Sequence, residues 1–325
     1  MAISLDRSRA ETLIEAFTGK RVLVLGDIMV DQFVWGKVRR ISPEAPVPVV
    51  DIVNETFVLG GAGNVAANIR ALGGIPAPFG VIGIDAAAER VLELMREGGI
   101  DGSALLRENR PTTIKTRIIA QNQQIVRTDK ESRTPLSDSS KQLLSTSFLK
   151  SLSSAGAVVI SDYNKGVITN DLLQQILPAV RSAGVPVFLD PKAHHAACHS
   201  SITLLKPNHQ ESEFLAEMSI DTDEHLEQAG HRLLQKFDCQ YVLITRGEAG
   251  MSLFGRSQSH HLPSLDREVF DKTGAGDTVI ATLALAHAAG GTIEESSILA
   301  NHGAGLVVGK VGTATISRAE LLADF

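Results

Sequence analysis

The stretch "AVVISDYNKGVITNDLLQQILPAVRSAGVPVFLD", residues 157–190, decides the fold. A β-branched apolar run (157–162) leads into apolar residues at helical spacing (169–183) and then a second apolar run (185–190). Near-continuous apolar strands joined through a helix belong to a parallel sheet covered on both faces. The rhythm recurs in "RVLVLG" (21–26), "ITLLKPN" (202–208), the helical segment 222–237 and "YVLITRG" (241–247). The expected class is therefore α/β, a mainly parallel sheet between helices. Two stretches break the pattern. "DQFVWGKVRRISPEAPVPVVDI" (31–52) is extended and punctuated by proline, and "PTTIKTRIIAQNQQIVRTD" (111–129) alternates like a strand pair turning near Gln121–Gln123. They are expected to form a small β lid on a single domain spanning 1–325, with Phe33 and Trp35 buried in it or at a subunit contact.

A chain of 325 residues can bury roughly 75% of its unfolded surface and needs no staple. Cys198 and Cys239 lie far apart without CxxC spacing, the usage of reduced thiols. A net charge of -6 excludes a general binder of nucleic acid or anionic membrane. The N-terminus "MAISLDRSRAETLIEAFTGK" has no apolar signal core, and the longest apolar stretch, around Thr278–Ala289, is too short to cross a bilayer. A cytoplasmic protein is expected. The pairs His194/His195 and His260/His261 sit in loop-like sequence with side chains pointing apart, as solvated surface rather than metal ligands.

The chemistry concentrates in "DKTGAGDT", 271–278. Gly274, Ala275 and Gly276 let backbone N–H groups converge at a helix start, which suits an anion such as a phosphoryl group. Asp277 then has two readings: a helix cap, or a base that takes the proton of a hydroxyl attacking that phosphoryl. A second cluster, "LGGAGNVAANIRALGG" (59–74), places Gly61, Gly63 and Ala66 as G-x-G-x-x-A with Asp85 downstream. That is the pattern of a nicotinamide-dependent dehydrogenase, or simply small residues for close helix packing. The strand ends carry Asp27, Asp162, Asp190, Asn208 and Thr245–Gly247 on the edge where open parallel sheets bind ligands, although Asp and Asn also form turns. Asn208 and Glu211 are spaced to meet Mg2+ through water, and Glu211 alternatively complements a helix dipole. Arg39, Arg40, Lys115, Arg117 and Lys165 read as solvated or, near the lid, as a grip on a substrate phosphate. A dehydrogenase leaves the Asp277 motif, the lid and "KPNHQE" (206–211) without a task, whereas a kinase uses all three.

"GGAGNVAANIRALGG" together with "DKTGAGDTVIA" resembles the two signatures of the ribokinase/PfkB family of sugar kinases. "GDIMVDQFVWGKVRRISPEAPVPVV" (26–50), "TIKTRIIAQNQQIVRTD" (113–129), "SDYNKG" (161–166), "LLKPNHQE" (204–211) and "NHGAGLVVGKVGTATIS" (301–317) resemble the heptose 7-phosphate kinase branch across nearly the whole chain. The resemblance implies a ribokinase-like fold, ATP and Mg2+ as cofactors, a sugar phosphate as substrate and a homodimer formed through the lid. It implies Asp277 as base and Gly274, Ala275 and Gly276 as anion hole. Asn208, His209, Gln210 and Glu211 would lie near the nucleotide phosphates and Mg2+, with Thr245, Arg246, Gly247, Asn301 and Gly303 on the ATP side. Asp27, Asp31, Gly60, Gly61, Asn64, Lys115, Gln124 and Asp162 would serve the sugar. Lys272 departs from the family pattern, which has an apolar residue there; its ammonium would either supplement the anion hole or point to solvent. Many relatives carry a second, nucleotidyltransferase domain, and this sequence shows no H-x-G-H motif. The kinase step alone is expected; the rivals are another sugar kinase of the same fold, acting on a hexose phosphate or ribose, and a catalytically silent sugar-binding regulator, which an intact GAGD segment speaks against.

Overall fold

The structure, a computed structural model, describes residues 3–121, 123–192, 202–265, 270–310 and 312–325. The chain opens with α1 (Arg7–Glu15), β1 (Arg21–Gly26) and two long strands, β2 (Ile28–Ile41) and β3 (Pro48–Gly61). Next come α2 (Ala62–Ala71), β4 (Ile75–Phe79), β5 (Val81–Ile82), α3 (Ala86–Glu97) and β6 (Leu106–Arg107). The hairpin β7 (Thr113–Ala120) and β8 (Gln123–Lys130) precedes α4 (Asp138–Ser151), β9 (Ala157–Ser161), α5 (Asn170–Ser182), β10 (Val187–Asp190) and β11 (Leu204–Leu205). Then follow α6 (His209–Ala216), α7 (Asp223–Lys236), β12 (Tyr241–Thr245), β13 (Met251–Gly255) and β14 (Ser259–Leu262), and finally α8 (Ala275–Ala288), α9 (Ile293–Val308) and α10 (Arg318–Ala323).

The main sheet has eight strands in the order β14, β13, β12, β11, β10, β9, β1, β4. From β4 to β12 every pairing is parallel, and β13 and β14 add an antiparallel edge. Alternation sends Val22 and Val24 of β1 into one core and Leu23 and Leu25 into the other. Both faces are apolar because both are covered, by α2, α8 and α9 on one side and α4, α5 and α7 on the other. Every residue from Asp277 to Ala286 in α8 is buried, as befits a helix apolar all round. Chain order reverses between β1 and β9, the place where a doubly wound sheet opens a crevice.

A second sheet runs β3, β2, β7, β8. β2 pairs antiparallel with β3 and parallel with β7, which sets Asp31 beside Lys115. This sheet takes in residues 53–61, which the sequence reading left out of the lid. β3 continues until Gly61, whose φ of +56° lets the chain turn directly into α2. Phe33 is buried and stacks on Trp35 at 6.4 Å between ring centroids. The pair His260/His261 lies in β14 rather than in a loop. His260 is buried, so the solvated reading is corrected there, whereas His261 is exposed and hydrogen-bonds to Ser252 and Glu227. His194, His195 and Cys198 lie outside the described residues. Among the described residues no helix is long and apolar enough to cross a membrane.

Candidate active site

β1, β9, β10, β11 and β12 run parallel, so their carboxyl ends meet on one edge, and the first turn of α8 abuts it. Gly274 caps α8 with φ +80° and no side-chain cap bond, which makes Asp277 a first-turn residue and not the N-cap. Its carboxylate turns away from the helix: Oδ1 accepts from the Tyr163 hydroxyl at 2.7 Å and Oδ2 from Asn64 Nδ2 at 2.8 Å. Behind Asn64, Asn68 Nδ2 donates to Asn64 Oδ1 at 3.2 Å, and Thr278 Oγ1 donates to Asn68 Oδ1 at 3.0 Å. The relay fixes the Asn64 amide with its N–H toward Asp277. Gly274 is required beside it, since a Cβ there would lie 2.7 Å from Asn64 Nδ2. Burial pushes the Asp277 carboxyl up to about 7, and the Asp190 carboxylate adds to the rise. The Asn64 and Tyr163 hydrogen bonds and the Lys206 charge oppose it. A buried carboxyl poised near neutrality suits proton transfer.

A cleft of about 980 Å³ opens beside this turn, lined by Asn208–Glu211, Thr245–Gly247, Asn301, Ala275 and Gly276. Asn208 caps α6 by accepting from Glu211 N at 2.9 Å, and Glu211 Oε2 accepts from Asn208 N at 2.9 Å in return. Gly303 is a correction. It faces Thr282, Thr278 and Ile316 in the packing of α9 on α8, and Ala304 and Gly305 line the cleft in its place. Lys272 stands at the cleft wall with its ammonium 3.0 Å from the exposed Glu248 carboxylate.

Two lysines absent from the sequence reading belong here. Lys206 is 3% exposed, pairs with Asp190 at 3.0 Å and lies 3.3 Å from where a Cβ on Gly276 would stand. A buried ammonium therefore sits beneath the glycine turn. Lys192 reaches Glu211 Oε1 at 2.5 Å. A charged residue directly at the end of the apolar pair Leu204–Leu205 is the signal that marks Lys206 in sequence.

On the opposite side, Asp27 is corrected from sugar contact to loop anchor. It is fully buried, and its two oxygens accept from the backbone N–H groups of Tyr163, Lys165 and Val167 at 2.8, 3.1 and 3.2 Å. Asp31 accepts from Arg117 at 2.6 Å and from Thr313 Oγ1 at 3.2 Å; Gly60 permits that placement, since a Cβ on it would lie 2.5 Å from Asp31 Oδ2. Lys115 holds its ammonium 5.0 Å from the Tyr163 ring centroid, and burial lowers its pKa. Asp162 lines the cleft. Burial, then the Asp27 and Asp190 carboxylates, push it up to about 7. Gln124 stands exposed on β8, away from this cluster. Lys165 is paired with Glu131 at 2.6 Å. Asp85, the acid of the dinucleotide pattern, is consumed in capping α3 and in accepting from Thr112 N at 3.1 Å. The glycines at 61 and 63 turn and pack α2, which leaves the dehydrogenase pattern without its acid.

Residues 20–320 match the pfkB family of carbohydrate kinases. The chain is 43% identical over 311 residues to a protein of Paramagnetospirillum magneticum named bifunctional protein HldE, covering 95% of this chain and 64% of that one. It is 42% identical over 320 residues to the protein of the same name from Geobacter sulfurreducens, covering 98% and 65%. It thus spans about two thirds of the length of the curated relatives it matches. The fold is that of Arabidopsis thaliana ribokinase complexed with ribose and ATP (TM-score 0.74, 23% identity, 94% of this chain and 98% of that one). It is equally that of Escherichia coli phosphofructokinase-2 in complex with substrates and products (TM-score 0.77, 19% identity, 94% and 98%). With a ribokinase-like sheet and a family match along residues 20–320, the chain belongs to the pfkB family of carbohydrate kinases and is a sugar kinase.

Proposed function

We propose that the chain transfers the γ-phosphoryl group of ATP to O1 of D-glycero-β-D-manno-heptose 7-phosphate. The 1,7-bisphosphate so made would serve ADP-heptose synthesis for the lipopolysaccharide core, in the cytoplasm. The observation that carries the phosphoryl transfer is the Asp277 carboxylate, buried between the nucleotide-side cleft and the sugar-side residues. The choice of sugar rests on the stretches that resemble the heptose 7-phosphate kinase branch. Similarity along 95–98% of the chain to relatives sharing one name supports a single branch. Lys115, whose ammonium stands 5.0 Å from the Tyr163 ring centroid beside the sugar-side residues, would meet the sugar's own phosphate. Exposed Ile41, Ile52 and Val53 on the small sheet, with Val47 in the bend joining β2 to β3, support a homodimer through that surface.

In this reading O1–H is held against Asp277, which takes its proton as the O1–Pγ bond forms and the bond from Pγ to the bridging oxygen breaks, releasing ADP. The backbone N–H groups of the 274–276 turn and the Lys206 ammonium stabilise charge on the transferring group. Among the described residues no three acidic, histidine or cysteine side chains gather to hold a metal by themselves. Mg2+ takes one or two carboxylates and fills its shell with phosphates and water. Glu211 would hold it through water, and the ion would neutralise charge on the phosphates.

With Asp277 ionising near 7, kcat/KM is expected to climb from about pH 6 to about pH 8 and then level. The limb should persist in Asp162→Asn, whose lost carboxyl also ionises at about 7; its disappearance there would move the base role to Asp162. The same shift has a stability sign. The native state holds the Asp277 proton more tightly than an ordinary aspartate of 3.8, so this group makes the fold less stable as pH rises from about 4 to about 7. The substrate is tested by ADP release with the heptose phosphate, fructose 6-phosphate and ribose in parallel. A preference for either of the latter would overturn the choice of sugar.

A further inference from the structure

Tyr163 is one of two tyrosines in the chain, and the reaction as described gives it no part. Its position is tightly specified. The backbone N–H donates to the buried Asp27 at 2.8 Å, and the hydroxyl donates to Asp277 Oδ1 at 2.7 Å. Two ammonium groups flank the ring. Lys115 comes from the small sheet at 5.0 Å from the centroid, and Lys192, bound to Glu211, comes from the nucleotide side at 5.4 Å. Tyr163 lines the cleft wall, while Asp277 is 3% exposed and lies behind it. The other carboxylate oxygen, Oδ2, is taken by Asn64. The phenol thus stands between the base and the space where an acceptor or a water would stand.

We infer that Tyr163 caps the resting base: its hydroxyl occupies Asp277 Oδ1 until an acceptor hydroxyl replaces it, and so denies that position to water. The inference rests on the reading of Asp277 as the base. Without a cap, a water beside bound ATP would bond to Pγ through its oxygen and pass a proton to Asp277. The bond from Pγ to the bridging oxygen would break, and ADP would leave with the electron pair. Phosphoryl transfer to water needs no sugar, so an exposed base would spend ATP unproductively. A phenol serves as cap without itself becoming an acceptor. Burial, then the Asp277 and Asp190 carboxylates, hold its proton well above the usual phenol range.

The test compares the full-length protein with Tyr163→Phe, measuring inorganic phosphate from Mg-ATP without sugar and ADP release with the heptose phosphate. The ratio of sugar-free hydrolysis to sugar turnover is expected to rise about tenfold or more, within the reach of a base worth 10²- to 10⁴-fold. Adding Asp277→Asn to Tyr163→Phe should abolish the extra hydrolysis. An unchanged ratio, with both rates falling together, would assign Tyr163 a structural role and overturn the cap. The unaltered protein provides a second arm. With 13C at tyrosine Cζ, saturating sugar should move the Tyr163 resonance and leave that of Tyr241, on β12, in place; a Tyr163 signal unmoved at saturation would equally overturn release. Failure of the unaltered protein to phosphorylate the heptose would sink the substrate reading alone, because a sugar-free hydrolysis rate that rises in Tyr163→Phe and falls back when Asp277→Asn is added still decides the cap, and a sugar-free rate that does not rise overturns it.

Discussion

Asp277→Asn is expected to lower kcat by about 10²- to 10⁴-fold, the span of a positioned general base, while leaving ATP binding nearly intact. The substitution preserves shape, and Asn64 Nδ2 can still donate to a side-chain oxygen at position 277. The nucleotide-side wall at 208–211 and 245–247 belongs to other elements and is not disturbed. Only the proton acceptor is lost. The stability readout should go the other way. At pH 8 the wild-type carboxylate is charged in a buried site, so its removal should hold or raise the melting temperature. A variant that turns over normally would remove Asp277 from the chemistry; one that melts much earlier would assign it a structural part instead.

Lys206→Met is expected to produce two separable losses. As an ammonium beneath the Gly276 turn, Lys206 should be worth about 10²- to 10³-fold in kcat, the scale of a preorganised charge-stabilising donor. It is also the partner of Asp190, whose carboxyl burial pushes up and Lys206 pulls down. Leaving that largely buried carboxylate with only the Lys192 charge nearby should cost at most roughly 3–5 kcal/mol of stability, measured by denaturant unfolding. Asp190→Asn added to Lys206→Met removes the stranded charge. The double variant should recover stability and not kcat, and recovery of both would reduce Lys206 to a packing and pairing role.

The five adjoining parallel strands β1 and β9–β12, the helices read at 169–183 and 222–237 and the Gly-Ala-Gly-Asp turn were legible because each is a local pattern: period, β-branching, or glycines at a helix start; the edge strands β4, β13 and β14 were not read. The wiring among them was not. The bonds from Asn64 and Tyr163 to Asp277 and from Arg117 to Asp31 join residues 213, 114 and 86 positions apart. Asp27 was misread for a chemical reason. An aspartate at a strand end looks the same whether it accepts from backbone amides or from sugar hydroxyls, and only the path of the 161–167 loop decides. Gly303 was misread for a geometric one. Asn301, Ala304, Gly305 and Val308 fall at helical spacing on the cleft face, and residue 303 is rotated off that face toward α8. Residues 53–58 were given no element in the sequence reading, and 59–61 were read only as part of the glycine cluster, whose small residues hide the end of the strand that runs into it.

The most direct test of the account is 31P NMR of the protein with Mg-ATP and D-glycero-β-D-manno-heptose 7-phosphate, beside the Asp277→Asn variant. The account predicts ADP and a new anomeric-phosphate resonance in a 1:1 ratio for the unaltered protein, with neither at comparable rate in the variant. A heptose left untouched while fructose 6-phosphate or ribose is phosphorylated, or an anomeric phosphate formed equally fast without the Asp277 carboxylate, would contradict it.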